Sequence, residues 1–260
     1  MIAAPGQGEE ARMGAQAAPT LPRLEIPLLR QDRRMWVWWH RGSSRRLVVV
    51  FSSVGHGPET PPPLEFAQSA TAGGRDSAVF IADPQRSWLN APRLVEEIVE
   101  VIEAARDEVG ATQTVTMGYS MGGFAALAIG GFVPVDAALA FSPQISIDPV
   151  LVPGEKRWMR YRKRIEAIRI RSAAEHMAEG TAHTILMGQS QVEAAQVRLV
   201  PEAANTDTFL LPGTGHDSAP RVKAAGILPQ VIDLAFSQRR DALAELLATR
   251  MKARRKGVAA

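Results

Sequence analysis

The chain has 260 residues, 46% of them hydrophobic, which is enough to bury one sizeable core. Its formal net charge is +3, and the charge is unevenly spread along the chain. Cysteine is absent from the sequence, so disulfides, thiolate nucleophiles and cysteine-bound zinc are excluded. No apolar run reaches the length of a membrane span, and the first residues lack the basic and then apolar pattern of a secretory signal. We therefore expect a cytoplasmic protein.

The first 20 residues are rich in Ala, Gly, Gln and Pro without periodicity, which predicts a disordered arm before a single domain over 21–260. Strands are predicted at 24–29, 35–39, 46–51, 77–82, 114–119, 135–141, 183–187 and 206–211. Helices are predicted at 63–70, 90–109, directly after residue 120, and at 218–236 and 238–254. Because strands and helices alternate, the sequence predicts an α/β fold with a mostly parallel central sheet and helices on both faces.

A glycine-rich turn between a predicted strand and a predicted helix is the most informative motif. Gly118-Tyr-Ser-Met-Gly122 fits the pattern G-x-S-x-G, in which a strained turn holds the serine hydroxyl clear of the sheet edge. Side chains two residues before and after the serine would collide with the neighbouring strand and helix, and glycine removes the collision. The motif predicts that Ser120 is a nucleophile, with an idle serine in a tight turn as the alternative.

Three features carry a resemblance to a known family. They are the turn around Ser120, called the elbow below, the loop after the strand that ends at Phe51, and Gly213-Thr-Gly-His216 after the last strand. On them the chain resembles the α/β-hydrolase superfamily from about residue 24 to 236, and the order Ser then His agrees. Phe141-Ser-Pro-Gln144 and the elbow are also similar to poorly characterised bacterial hydrolase-like proteins, some linked to surface polysaccharide. The resemblance implies the α/β-hydrolase fold, with a short helical cap between strands 6 and 7 at about 145–180.

His216 is the candidate general base. It follows a predicted strand and a glycine-rich turn, which places it at the carboxyl edge of the sheet, where catalytic groups of such sheets gather. An imidazole there can accept the serine proton and return it to the leaving group. The remaining histidines outside the oxyanion loop, His40, His176 and His183, are interpreted as surface or core residues.

The loop at 52–57, which contains His56, follows the central strand, where the superfamily places its oxyanion-binding turn. A pair of serines stands where many relatives carry His-Gly. Matching the next position implies that the backbone N–H of Val54 is one donor, and Met121, after the nucleophile, supplies the other. The hydroxyl of Ser52 or Ser53 is expected to add a contact, and Ser53 is the candidate substrate-binding residue. A glycine-rich turn that binds no ligand is the alternative.

The carboxylate that orients the histidine has competing assignments. The superfamily usually supplies an aspartate where this chain has Gly188-Gln-Ser-Gln-Val-Glu193, a loop without one. Glu193 is therefore preferred, Asp148 after the preceding strand is the competitor, and Asp217 beside His216 is expected to point away. A Ser–His dyad or a degenerate site is the third alternative, because either carboxylate could instead be solvated or cap a helix.

The segment 155–171 interleaves aromatic and basic side chains. Such a pattern fits an anionic substrate, with Trp158 and Arg160 joining Ser53 and Tyr119 as candidate substrate-binding residues. It is also typical of contacts to nucleic-acid phosphates. The competing interpretation is a solvated basic helix face whose apolar side chains pack inward, namely Trp158, Ile165 and Ile168.

Together these features favour a serine hydrolase that acts on a carboxylic ester or thioester through a covalent acyl-Ser120 intermediate. The alternatives are an acyltransferase to a saccharide hydroxyl, and a non-catalytic protein of the same fold that binds a glycan or another partner. We expect no cofactor and no metal, a small-molecule or saccharide ester as substrate, an anionic one included, and no nucleic-acid partner. The sequence does not indicate an oligomeric state.

Overall fold

The computed structural model describes residues 24–55 and 62–257, and within them the strands form one nine-stranded sheet. In chain order they are β1 Leu28–Gln31, β2 Trp36–His40, β3 Arg46–Phe51, β4 Ser77–Ala82, β5 Gln113–Tyr119, β6 Ala137–Phe141, β7 Ala182–Gly188, β8 Thr206–Leu211 and β9 Arg254–Arg255. The spatial order is β1-β2-β4-β3-β5-β6-β7-β8-β9. The six strands from β4 to β8 run parallel, and β1, β2 and β9 pair antiparallel at the two sides.

Helices connect these strands and cover the sheet. They are α1 Ala67–Ala70, α2 Leu94–Val109, α3 Met121–Ala128, α4 Met159–Arg162, α5 Gln191–Leu199, α6 Ser218–Ala224, α7 Leu228–Phe236 and α8 Arg240–Met251. Among the described residues, no helix combines the length and apolarity that crossing a bilayer requires.

The core consists of two layers, one on each face of the sheet. Neighbouring residues of β3 alternate between them: Val49 packs with the side chains of α2 and α3, and Val48 with those of α6, α7 and α8. Both valines are fully buried, and each such side chain contributes about 1.5–3 kcal/mol to folding. The predicted α/β class, with a mostly parallel sheet and helices on both faces, is confirmed.

Several predicted boundaries were wrong for local reasons. The first strand starts at Leu28 rather than residue 24, and α1 starts only at Ala67, after Phe66 adopts a left-handed φ of 66°. The helix predicted at 218–236 is two helices, because Gly226 has φ +72° and breaks the chain between α6 and α7. The predicted N-terminal arm at 1–20 lies outside the described residues.

Two elements were missed altogether. The helix predicted to run to residue 254 ends at Met251, where Lys252 turns left-handed and the short strand β9 pairs with β8. The loop predicted to end at Glu193 contains the start of α5, which places this carboxylate in the first turn of a helix. Both errors arise where the hydrophobic pattern is short and tertiary pairing decides the structure.

The cap segment, residues 142–181 between β6 and β7, is mostly irregular. Its helical parts are the four residues of α4 and a 3-10 turn at Ala173–His176. The basic stretch within it is therefore not the long amphipathic helix that one sequence interpretation required. Its side chains project in several directions rather than from two faces.

Candidate active site

The turn from β5 into α3 is sharp, and its backbone is strained at Ser120. Ser120 has φ 58° and ψ −115°, a backbone conformation that L-residues rarely adopt. A Cβ atom at Gly118 would lie 2.2 Å from the backbone of Gly122, and one at Gly122 would lie 2.1 Å from the carbonyl oxygen of Phe51. The glycines two residues before and after the serine are therefore required by backbone contact. They let α3 start directly against β3.

Three side chains from separate segments of the chain form a continuous set of hydrogen bonds. Ser120 Oγ lies 2.8 Å from Nε2 of His216, and Nδ1 of His216 lies 2.9 Å from Oε1 of Glu193. The serine follows β5, the glutamate follows β7 and the histidine follows β8, so the carboxyl edge of the parallel sheet brings all three together. With Nδ1–H donating to the carboxylate, Nε2 is the acceptor for the serine hydroxyl.

Close backbone packing places the histidine loop against the glutamate helix. A Cβ at Gly188 would lie 2.0 Å from the carbonyl oxygen of Gly215, so the end of β7 accepts this loop only with glycine at that position. Glu193 is fully buried, and its Oε2 has no hydrogen-bond partner among the described residues. The carboxylate is thus shielded from solvent, and its Oε1 faces His216.

Tyr119 supports the loop that carries His216. Its hydroxyl donates a 2.7 Å hydrogen bond to the carbonyl oxygen of His216, and the two rings lie 5.4 Å apart. Burial, together with nearby carboxylates, raises the pKa of Tyr119 to about 12. The phenol therefore stays neutral and keeps its proton for this bond. The residue predicted to contact substrate is here a support for the candidate base.

The cap contributes an ion pair that the sequence interpretation did not place in the site. Nη1 of Arg157 lies 2.6 Å from Glu193 Oε1 and 2.8 Å from His216 Nδ1. Glu155 holds the same guanidinium, because its Oε1 accepts 2.9 Å bonds from both the backbone N–H and Nε of Arg157. Although burial raises it, hydrogen bonds and charge from Arg157 lower the pKa of Glu155 to about 2. The only sequence signal was an arginine inside a basic run.

The candidate oxyanion loop is anchored by two charged residues. Arg86, itself buried, donates a 3.1 Å bond from Nε to the carbonyl oxygen of Val54. Glu65 accepts bonds from Ser53, at 3.0 Å from its N–H and 2.7 Å from its hydroxyl. The Ser53 side chain thus bonds the protein, and its contact with a substrate stays a prediction. His56, in the same loop, lies outside the described residues.

Met121, the second predicted oxyanion donor, is the first residue of α3. Backbone N–H groups in the first turn of a helix have no acceptor within that helix. The N–H of Met121 is therefore available beside Ser120, as a donor for a developing negative charge must be.

Asp148, the competing acid, lies outside the hydrogen-bonded chain. It pairs with Arg171, and its Oδ1 accepts a 2.7 Å bond from the N–H of Val150. The hydrogen bond from Arg171 is the main cause that lowers the pKa of Asp148. Asp217 pairs with Arg221 and points away from the imidazole chain, as expected of that neighbour.

The aromatic and basic side chains of the cap divide into inward and outward groups. Trp158 packs against the core, and its Nε1 is buried without a partner among the described residues. Arg162 is buried and donates to the carbonyl oxygens of Glu155 and Ile147, at 2.7 and 2.6 Å. Arg160 is exposed, with its guanidinium 4.6 Å from the ring centre of Tyr161. Only part of the basic stretch therefore faces solvent.

A cleft of about 500 Å³ separates the cap from the segment between β4 and α2. Tyr161, Arg164, Glu166 and Arg169 line its cap side. The hydroxyl of Tyr161 is buried and has no hydrogen-bond partner among the described residues. Within those residues, no cluster of three or more His, Asp or Glu side chains is arranged to bind a metal.

The chain belongs to the alpha/beta hydrolase family, because the sequence profile of that family matches residues 28–259. None of the curated proteins compared with it matches significantly. Among solved structures, the capsule O-acetyltransferase of Neisseria meningitidis serogroup A is similar, with a TM-score of 0.57, 13% identity, and coverage of 80% of this chain and 96% of that one. Est1E from Butyrivibrio proteoclasticus is similar with a TM-score of 0.55 and 11% identity, and the match covers 80% of this chain and 97% of that one. The Pyrococcus furiosus esterase PF2001 is similar with a TM-score of 0.55 and 12% identity, and the match covers 83% of this chain and 91% of that one. At these identities the likeness shows the shared fold.

Proposed function

We propose that this protein is a serine-dependent hydrolase of a carboxylic ester or thioester, with Ser120 as nucleophile, His216 as general base and Glu193 as the orienting acid. The observation that carries the proposal is the unbroken chain of hydrogen bonds, 2.8 Å from Ser120 Oγ to His216 Nε2 and 2.9 Å from Nδ1 to Glu193 Oε1. A serine hydroxyl is a weak nucleophile unless an adjacent base accepts its proton.

In the first half of the reaction, Ser120 Oγ attacks the acyl carbon while its proton moves to Nε2 of His216. The carbonyl oxygen becomes an oxyanion, which accepts hydrogen bonds from the N–H groups of Val54 and Met121. Each such donor lowers the barrier by about 3 kcal/mol. The bond to the leaving group then breaks, and the imidazolium returns the proton to the departing alcohol or thiol. Glu193 stabilises the transient imidazolium through Nδ1–H.

In the second half, water attacks the acyl-Ser120 ester and the same groups act in reverse, so that the acid is released and the serine hydroxyl is restored. A saccharide hydroxyl can take the place of water without any change in these groups. Acyl transfer is therefore the second candidate, supported by the exposed cations Arg164 and Arg169 on the cap cleft, which suit an anionic acceptor. A capsule O-acetyltransferase shares the fold.

Reaction with a fluorophosphonate probe tests the nucleophile whatever the natural substrate. Wild-type protein should be labelled on Ser120, and Ser120→Ala should abolish labelling with an unchanged melting temperature. Ser142→Ala is the matched control, because this buried serine also directly follows a strand but bonds Ser218 at 2.7 Å. Folded wild-type protein that stays unlabelled would favour the non-catalytic alternative, a protein that binds a glycan or partner through the same fold.

Mass spectrometry can separate hydrolysis from transfer. With p-nitrophenyl acetate as donor, the proposed hydrolase releases acetate at the same rate with or without an added oligosaccharide. Acetylated oligosaccharide that accumulates at the expense of acetate would assign the protein as an acyltransferase. An acidic and a neutral oligosaccharide of equal length would show whether the exposed cap cations select the acceptor. Cytoplasmic location stays a prediction from sequence.

A further inference from the structure

The candidate triad of Ser120, His216 and Glu193 has an additional charged neighbour, which comes from the cap. Arg157 contacts both members of the Glu193–His216 couple, at 2.6 and 2.8 Å from the same guanidinium nitrogen. Nδ1 of an imidazole has one hydrogen-bonding position in the ring plane, and Glu193 occupies it. The guanidinium therefore acts on the ring through its positive charge and through its bond to the carboxylate, rather than as a second bonding partner of Nδ1.

A lone cation in this position would oppose catalysis, because the base becomes an imidazolium when it accepts the serine proton. Glu155 offsets that cation. It binds Arg157 at Nε, Nη2 and the backbone N–H, and Gln196 donates to its Oε2 at 3.2 Å. Both carboxylate side chains are at most 6% exposed, so solvent screens these charges weakly. Glu193, Arg157 and Glu155 together carry a charge of −1, the same as a single orienting carboxylate.

We propose that Arg157 and Glu155 form a charge-balancing pair that positions the Glu193 carboxylate and sets how readily His216 takes up a proton. The role of His216 as base rests on the proposed function. Arg157 is a positioning residue in this scheme: it gives the buried carboxylate a cation, and Glu155 prevents that cation from suppressing the imidazolium. A cap residue is thus part of the electrostatics of a site otherwise built on the sheet.

Other groups beside the imidazole leave this balance unchanged. Tyr119 faces His216 from β5 but stays neutral, because burial and nearby carboxylates raise its pKa to about 12. Asp217, the next residue in the chain, is paired with Arg221, and both side chains are about half exposed. Ser120 is uncharged. Of the cap pair, Arg157 contacts the couple directly, and Glu155 acts on it through its contact with Arg157.

Removing the two charges separately should move His216 in opposite directions. Arg157→Met leaves two carboxylates beside the ring, which favours the imidazolium, so half-protonation should occur about 1 pH unit higher than in wild type. Glu155→Gln leaves one carboxylate and one cation, so half-protonation should occur at lower pH by a similar amount. The double variant restores a charge of −1 and should return to within about 0.3 pH units of wild type.

The direct measurement is an imidazole ¹⁵N NMR titration of His216, with its signal assigned by comparison with His216→Gln. Arg164→Met is the matched control, because it removes one positive charge from an exposed part of the cap. This control should leave the His216 titration unchanged. Shifts in the same direction for both single variants, or no shift in either, would overturn the proposal. A purely structural role of Arg157 would lower the melting temperature without opposite shifts.

Arg157→Lys keeps the charge but loses the forked geometry. It should titrate within about 0.3 pH units of wild type, yet react with the fluorophosphonate more slowly. If Arg157→Met does not fold, the titrations of Arg157→Lys and Glu155→Gln still test the proposal. An unchanged His216 titration in Glu155→Gln, or a strongly shifted one in Arg157→Lys, would contradict the charge balance. The titration needs no catalysis. Opposite shifts in a protein that never reacts with the probe would therefore refute the proposed function and leave the charge balance standing.

Discussion

Two histidines at opposite edges of the sheet show what separates a candidate catalytic residue from a structural one. His216, at the carboxyl edge, has a hydroxyl at one ring nitrogen and a carboxylate at the other. His183, at the amino edge of β7, has Nδ1 only 3.4 Å from an Asn205 amide and no partner for Nε2 among the described residues.

Burial lowers the pKa of His183 to about 4. Desolvation alone causes this shift, so the shifted pKa of His183 does not by itself indicate a catalytic role. Partners on both ring nitrogens indicate the candidate base.

The largest expected effect tests this contrast at the base itself. His216→Ala should slow fluorophosphonate labelling of Ser120 on the order of 10⁴-fold or more, because the serine then loses its proton acceptor. His183→Leu removes a buried imidazole from the other edge and should leave the labelling rate within about threefold. Rates are compared at one pH above neutrality by gel fluorescence. A wild-type labelling rate in His216→Ala, or a strongly reduced rate in His183→Leu, would contradict the assignment of His216 as the base.

The second effect concerns the carboxylate partner. Glu193→Gln keeps the size of the side chain but lets the amide favour the wrong imidazole tautomer, so turnover should fall by about 10²- to 10⁴-fold. Asp148→Asn should retain most activity, because Asp148 is bonded to Arg171 and Val150 rather than to His216. Initial rates on p-nitrophenyl acetate measure both. The reverse result would transfer the role to Asp148, and two mild effects would indicate a dyad.

The sequence was most informative where one local rule governs the backbone. The glycines around Ser120, the buried run of β3 and the turn before His216 predicted the fold and placed Ser120 and His216 at one edge of the sheet, because crowding and burial leave few alternatives. Their catalytic roles stay predictions. The start of α5 and the positions of Arg157 and Glu155 beside it were missed. They depend on contacts between segments about 40 residues apart, which no local pattern records. Tyr119 and Ser53 were named for substrate contact, whereas their hydroxyls bond the protein itself.

The third effect is on stability and belongs to His183. Its pKa falls from 6.5 to about 4 on folding, so between these values the unfolded chain binds a proton that the native state does not. Stability is therefore lost as pH falls through 6.5, and the loss is complete near pH 4. The shift corresponds to about 3 kcal/mol at most.

Urea unfolding from pH 7 to pH 4 measures this loss, with His183→Leu as the comparison. The variant should show a shallower decline in unfolding free energy, because it has no imidazole to protonate. Parallel declines for the two proteins would mean that other groups cause the acid sensitivity.

The smallest effect extends the contrast from histidines to the cations of the cap. Arg157 and Arg162 are bonded inward, so neutralising either should disturb structure. Arg160, Lys163 and Arg164 are exposed and make no ion pair within the described residues, so their charge is free to attract an anionic substrate.

Exposed charges act weakly, and the triple change to Gln should raise KM for a carboxylate-bearing ester by about two- to fivefold at low salt. The penalty should shrink at high salt, where screening has already reduced the attraction, and KM for a neutral ester should not change. Equal KM values for the triple variant and wild type at low salt would show that these cations, like the unpartnered nitrogen of His183, take no part in the chemistry.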